Sequence, residues 1–163
     1  MSDAVLSIGS NLGDRLALLH AAVDSVRPWL VAVSPVFETA PWGPVPQEDY
    51  LNAIVVVRDP SATAQGWLDR AHAAEAAAGR TRDVRWGPRT LDVDVIDVDG
   101  SRSDDPQLTL PHPRAHERAF VLVPWLAADP AATLSGTPVT ELIDELPPAE
   151  IDGVRLRTDL VLS

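Results

Sequence analysis

Apolar positions along the 163-residue chain recur with two periods, and the switches between them divide it into elements. Ala4 to Ile8 is a short apolar run that breaks at Gly9-Ser10-Asn11, which predicts a strand entering a turn. Leu16, Leu19, Ala22, Val23 and Val26 then follow helical spacing and stop before Pro28, so an amphipathic helix capped by Asn11 or Asp14 is expected. Val31 to Thr39 reads as a second strand. Pro41, Gly43, Pro44 and Pro46 preclude regular structure over residues 40–47. Tyr50 to Val57 is rich in β-branched residues and resumes as a strand.

An alanine-rich helix is expected from Ala62 to Ala78, capped by Ser61 or Thr63, with Trp67, Leu68 and Ala71 on one face and Gly79 as its stop. The arginine-rich residues 80–89 form a second loop. Thr90 to Val98 is the next strand, turned by Asp99-Gly100. Beyond it the pattern gives a short strand at Leu108 to Leu110 and a helix from Glu117 to Leu126, interrupted or ended near Pro124. A helix from Val139 to Leu146 and an apolar alternation from Val154 to Val161 complete the chain. The first hundred residues thus run strand, helix, strand, strand, helix, strand. That is the split βαβ pattern, an α+β, ferredoxin-like sandwich with helices packed on an antiparallel-rich sheet. At this length one domain, residues 1–163, is expected.

Composition removes several function classes. With no cysteine there are no disulfides, thiolate metal sites or thiol nucleophiles. All 13 basic residues are arginine, so neither a phosphate-loop lysine nor a Schiff-base lysine is available. A net charge of -11 argues against nucleic acid as a partner while leaving room for a small anionic ligand. No apolar run reaches the length of a membrane span, and the N-terminus lacks the basic flank of a signal peptide. A cytoplasmic monomer without membrane association is expected.

Candidate chemistry concentrates in Arg85-Trp86-Gly87-Pro88-Arg89-Thr90-Leu91-Asp92-Val93-Asp94. Residues two apart on a strand share a face, so Asp92 and Asp94 point one way while Leu91, Val93 and Val95 point to the core. Two carboxylates so placed repel unless a cation joins them, and magnesium accepts one or two carboxylates with phosphate oxygens and water. Asp97 and Asp99 fall out of phase and are assigned to solvent or turn geometry. Arg80, Arg82, Arg85 and Arg89 precede the pair with donors that match phosphate oxygens in a fork. Taken singly, an arginine cluster reads equally as a solvated loop, and Asp-x-Asp as an exposed polar strand face. Together they have the layout of phosphoryl transfer.

Ser7-Ile8-Gly9-Ser10-Asn11-Leu12-Gly13-Asp14, Glu38-Thr39-Ala40-Pro41-Trp42-Gly43-Pro44, Tyr50-Leu51-Asn52-Ala53, the Arg85 to Asp94 run, Leu108-Thr109-Leu110-Pro111-His112-Pro113 and Arg118-Ala119-Phe120 occur in this order. In them the chain resembles the 6-hydroxymethyl-7,8-dihydropterin pyrophosphokinases over about residues 4–127. The resemblance implies transfer of the β,γ-pyrophosphoryl group of ATP to the pterin hydroxymethyl oxygen, leaving AMP, with two magnesium ions. It assigns Asp92 and Asp94 to the metals, and Arg80 and Arg89 to closure over the phosphates, with Arg82 a further loop arginine. Glu75, Thr109, His112 and Arg118 match nucleotide contacts, as does the position of His72, where a glutamine is common. Tyr50 and Phe120 match a stacking pair for the pterin, Asn52 its polar edge, Thr39 with backbone from Ala40 and Trp42 the rest of its pocket, and Trp86 a residue that folds over it when the loop closes. The chain departs from the pattern at His72, at Gln107 where an arginine can occur, at Ala40 for a proline and at Trp42 for an aliphatic residue. The Gly9 to Gly13 turn fits no nucleotide motif and is read as structural. A two-metal phosphohydrolase using Asp92 and Asp94, and a silent pterin-binding module, are the competing alternatives.

Overall fold

The structure is a computed structural model that describes residues 3–41, 44–79 and 90–162. In chain order its elements are β1 (Asp3–Ser10), α1 (Arg15–Ser25), β2 (Leu30–Val33), β3 (Phe37–Thr39), β4 (Tyr50–Arg58), α2 (Ala64–Ala77) and β5 (Asp92–Val98). There follow β6 (Ser103–Asp105), β7 (Leu108–Leu110), α3 (Ala119–Ala128), β8 (Thr133–Leu134), β9 (Thr137–Pro138), α4 (Val139–Asp144), α5 (Pro148–Asp152) and β10 (Arg155–Leu156). The main sheet runs β10, β3, β4, β1, β5, with β2 also on β4. The described pairings within it are antiparallel. With β2 and β3 taken as one interrupted strand, this is the order of the predicted split βαβ sandwich.

The cap choices resolve on local chemistry. Asp14 accepts from the Ala17 N–H and starts α1, while Asn11 spends its amide on Gln47 Oε1 and the Glu48 carbonyl. Thr63 accepts from the Gly66 N–H at the head of α2, and Gly79, at a φ of +73°, supplies the left-handed residue just beyond its end. The expected single strand over 31–39 is broken because Pro35 has no N–H for the ladder. Ser34 bridges the gap, donating its N–H to the Ile54 carbonyl and accepting the Ile54 N–H on its hydroxyl, both at 2.9 Å.

Three later expectations are corrected. Pro124 neither ends nor interrupts its helix but lies inside α3, which runs to Ala128. The ring leaves the Phe120 carbonyl without its helical donor, and burial of Val121, Leu122 and Trp125 on the same helix outweighs that loss. The helix expected to reach Leu146 stops at Asp144, and Pro147-Pro148 starts α5. Of the alternation from Val154 to Val161, only Arg155 and Leu156 pair as a strand. Val161 is exposed, whereas Leu162 returns to the core.

Alternation along the central strands sends side chains to two cores. Leu6 and Ile8 of β1, Leu51, Ala53 and Val55 of β4, and Val93 and Val95 of β5 pack under α1 and α2. Val5, Ile54 and Ile96 meet Val121, Leu122 and Trp125 of α3 on the opposite face. Between Val5 and Leu6 the β1–β5 register shifts, so that Leu6 faces Val95 and Val5 faces Asp97. Ile96 is the extra residue of this bulge. Ile96 stays on the α3 side, Val98 drops back into the first core, and Asp97 is left half-buried beside the turn, accepting from the Gly100 N–H. Burial raises its carboxyl pKa.

The first core is anchored by Trp67, which is fully buried and meets Trp29 edge-on at 5.9 Å. Arg70 lies over the Trp29 ring at 3.8 Å and pairs with Asp59 at 2.8 Å. Trp67→Ala should cost about 3–5 kcal/mol of folding stability, read as a lower urea midpoint at unchanged slope. A loss below about 1 kcal/mol would show that this core collapses around the gap.

Candidate active site

Whereas α1 and α2 cover one sheet face, α3 covers only part of the other. The strand ends it leaves open floor a cleft of about 720 Å³. Ser7 and Gly9 reach this floor because they alternate with Leu6 and Ile8, which belong to the first core. The register sets Gly9 opposite both Asn52 of β4 and Asp92 of β5, and Ser7 opposite Ile54 and Asp94. The acidic pair and the amide therefore lie on one surface, separated by a residue without a side chain.

At the β5 end, Asp92 and Asp94 are partly open to the cleft, and Leu91, Val93 and Val95 are buried behind them. The strand phasing is thus as expected. Two carboxylates on one face supply the hard oxygen donors that magnesium prefers. No cluster of three or more metal-binding acids, histidines or cysteines occurs among the described residues. A cation held by this pair would take its other ligands from water and from phosphate oxygens, a donor set that fits magnesium bound with a nucleotide.

At the β3–β4 end, Thr39 and Tyr50 are paired across the strands, and Asn52 donates its amide to the Thr39 hydroxyl at 2.7 Å. That bond orients Asn52 with its carbonyl Oδ1 towards Gly9. A Cβ on Gly9 would lie 2.9 Å from Oδ1 and 3.5 Å from the Tyr50 ring. Glycine here is a condition for the Asn52 rotamer, not only for the turn that follows.

The far wall comes from the segment between β7 and α3. His112 is anchored by its N–H on the Ile96 carbonyl at 2.8 Å, and its Nδ1 accepts from the Arg114 N–H at 3.2 Å. A neutral ring in that arrangement carries its proton on Nε2 and can donate there. Burial, then the charges of Arg118 and Arg114, push the His112 pKa down to about 4. Arg118 holds its guanidinium over the Phe120 ring, 5.4 Å from the centroid, and both line the cleft. Arg114 is paired with Glu117 at 3.0 Å, and Glu145 and Glu150 also line the cleft, so the positive charge of this wall is concentrated at Arg118.

The structure brings Thr39, Ala40, Tyr50, Asn52, Asp92, Asp94, His112, Arg118 and Phe120 to one cleft. Three other candidates lie elsewhere. His72 is exposed on α2, the Thr109 hydroxyl donates to the Asp105 carbonyl, and Glu75 is buried with a carboxylate oxygen 3.0 Å from the Val93 N–H. Glu75 thereby serves the stretch of β5 between the two aspartates. Trp42, Arg80, Arg82, Arg85, Trp86 and Arg89 lie outside the described residues. Cleft residues that the sequence reading passed over are Ser7, Gly9, Arg114, His116, Glu117 and the tail residues Glu145, Leu146, Pro147 and Glu150. Alternation on β1 carried the signal for Ser7 and Gly9. Nothing local marks the tail residues, which reach the cleft only through tertiary packing.

The sequence model of the 7,8-dihydro-6-hydroxymethylpterin-pyrophosphokinase (HPPK) family matches residues 5–130. The 2-amino-4-hydroxy-6-hydroxymethyldihydropteridine pyrophosphokinase of Mycobacterium leprae is 51% identical, over 99% of this chain and 92% of its own length. That of Mycobacterium bovis is 49% identical over 96% of this chain and 90% of its own. That of Methylorubrum extorquens is 40% identical over 94% and 99%. Among solved structures, wild-type HPPK-DHPS of Plasmodium falciparum superposes with a TM-score of 0.65 at 13% identity, which supports the fold alone. The superposition covers 88% of this chain and 44% of that longer one. Fold, ordered motifs and the identity to full-length relatives agree that the chain belongs to the 7,8-dihydro-6-hydroxymethylpterin-pyrophosphokinase family.

Proposed function

We propose that the chain transfers the pyrophosphoryl group of ATP to the hydroxymethyl oxygen of 6-hydroxymethyl-7,8-dihydropterin, giving AMP and the pterin diphosphate ester in folate biosynthesis. The observation that carries this is the layout of one open sheet surface. It has a carboxylate pair at its β5 end, a polar edge flanked by aromatic rings at its β3–β4 end, and the Arg118 guanidinium across the cleft. A flat heterocycle with an amide and an exocyclic amine needs rings to stack on and groups that both donate and accept. Tyr50 and Phe120 supply the rings, and Asn52 and Thr39 the edge.

Asp92 and Asp94 are assigned to magnesium, two ions being expected. When bound, the ions neutralise charge on the triphosphate and orient it for in-line attack. The protein's own part is positioning and electrostatics. Asp92 and Asp94 are rigid because Val93 between them is buried and its N–H is held by Glu75. Arg118 attracts phosphate from the opposite wall, and neutral His112 adds a donor without asking for a second buried charge. Arg80 and Arg89, with Arg82, are assigned to the transferring phosphates, and Trp42, Ala40 and Trp86 to the pterin side. His72, Glu75 and Thr109 remain proposed nucleotide contacts from the resemblance. The enzyme is proposed to act as a cytoplasmic monomer of one domain, and among the described residues no helix is long and apolar enough to cross a membrane.

Three measurements test these assignments. Asp92→Asn and Asp94→Asn should each lower pterin-dependent AMP formation by at least about a thousandfold with an unchanged melting temperature. Near-parental turnover in both would remove the metal assignment, and phosphate release without pterin would favour a hydrolase. Gly9→Ala should raise the pterin KM about tenfold through displacement of Asn52, with the ATP KM little changed; an unmoved pterin KM would show that Asn52 does not read the pterin. The His112 ring should titrate near pH 4 in the free protein. Its folded pKa lies below the unfolded one, so its contribution to stability is complete above about pH 6.5 and is lost as pH falls towards the folded value. Added ATP should move the NMR midpoint upward, because phosphate offsets Arg118 and Arg114; no movement at saturating ATP would detach His112 from the nucleotide.

A further inference from the structure

The C-terminal segment beyond residue 130, where the family match ends, makes one set of contacts that the proposed reaction does not use. β10 pairs with β3, setting Arg155 opposite Glu38 and Leu156 opposite Phe37, and the Arg157 N–H extends the contact to the Val36 carbonyl at 2.9 Å. Three guanidinium groups then converge on the Glu38 carboxylate. Arg15 of α1 donates to Oε2 at 2.8 Å, Arg157 to Oε1 at 3.1 Å, and Arg155 lies 3.6 Å from Oε1. Arg155 also pairs with Asp49 Oδ2 at 2.7 Å, and Arg15 donates to the Asp49 carbonyl at 2.9 Å.

The place of the two acids in the chain gives this network its meaning. Glu38 immediately precedes Thr39, and Asp49 immediately precedes Tyr50. Glu38 points away from the cleft because Phe37 and Thr39 point towards that face. β3 is only three residues long, between Pro35 and Pro41, so its backbone pairing with β4 fixes it weakly. Its other neighbour, β10, contributes only two paired residues. Charge-assisted side-chain bonds therefore carry much of the hold on β3, which bears Thr39, whereas β4, which bears Tyr50 and Asn52, is also held along its length by β1. The Glu38 side chain is 14% exposed, so its bonds are screened less than those at the half-exposed Arg155.

We propose that β10 is a positioning strand for the pterin end of the cleft, with Arg155 and Arg157 acting through Glu38 to hold Thr39, and through it the Asn52 amide, and through Asp49 to hold the entry to Tyr50. The inference rests on the assignment of those three residues to the pterin. It separates the two ends of the site. Asp92 and Asp94 stand on β5, on the other side of β1 and β4, where the network makes no described contact. Loss of the arginines should loosen pterin binding and leave the phosphate end intact.

The test is steady-state kinetics on the full chain carrying Arg155→Ala with Arg157→Ala, the corresponding pair of lysine substitutions, Arg155→Ala alone, and Asn52→Ala as reference. The double alanine variant should raise the pterin KM about five- to tenfold, with kcat and the ATP KM within about twofold of the parent. The lysine pair, which keeps charge, should recover most of that loss, and Arg155→Ala alone should show a smaller rise in the same constant. If the double variant does not fold, the single variant decides the matter by the same split. A pterin KM within about twofold of the parent in a folded variant, or equal rises in both KM values, would overturn the proposal. Should Asn52→Ala also leave the pterin KM unmoved, the pterin assignment itself fails and this inference falls with it.

Discussion

A strand in the middle of a sheet presents two faces, and burying both requires a layer on each. β1 is flanked by β4 and β5, and all three alternate between the two faces. α1 and α2 together cover the first face, but α3, only ten residues long, covers part of the second, where Val5, Ile54, Val56 and Ile96 pack against it. The rest of that face must carry residues that tolerate water or a ligand. Ser7, Gly9, Asn52, Asp92 and Asp94 occupy those positions. The cleft is thus not a cavity added to a finished fold but the stretch of sheet that the third helix leaves uncovered.

The same geometry separates charges that would otherwise interfere. Asp92 and Asp94 lie on the sheet, while Arg114, His112 and Arg118 descend from the opposite wall. A polyphosphate between the two walls would meet Arg118 on one side and, through metal, carboxylates on the other. The low His112 pKa belongs to the same balance. A histidinium beside two arginines in a partly dry wall would suffer desolvation and repulsion together, so the ring stays neutral.

How far the sequence disclosed this depends on the range of the interaction concerned. Alternation within one strand is local, so the facing of Asp92 and Asp94, and the burial of Leu91, Val93 and Val95, were legible at once. The strand order followed from the succession of elements. Pro124 misled because a rule about one missing N–H was set against the burial of a whole helix, and burial outweighs one lost hydrogen bond. Pro35 was overlooked for the converse reason, since an apolar run does not reveal that one of its members cannot donate. Ser7 and Gly9 were within reach of the phasing argument, but a glycine-rich turn invites a reading as turn alone. Glu145, Leu146, Pro147 and Glu150 were not legible, because they approach the cleft only when α4 and α5 have docked.

The bulge at Ile96 joins these scales. Without it, strict alternation would hold Asp97 in phase with Val93 and Val95, putting a carboxylate into the core beneath α2 at a cost of several kcal/mol unless it were neutralised. One extra residue lets Val98 take that place and turns Asp97 to the half-buried edge, where the Gly100 N–H meets it. The site-bearing part of β5 then keeps unbroken alternation from Asp92 to Val95. An aspartate-rich strand can serve a cation on one face and a hydrophobic core on the other only because the irregularity lies just after the functional pair.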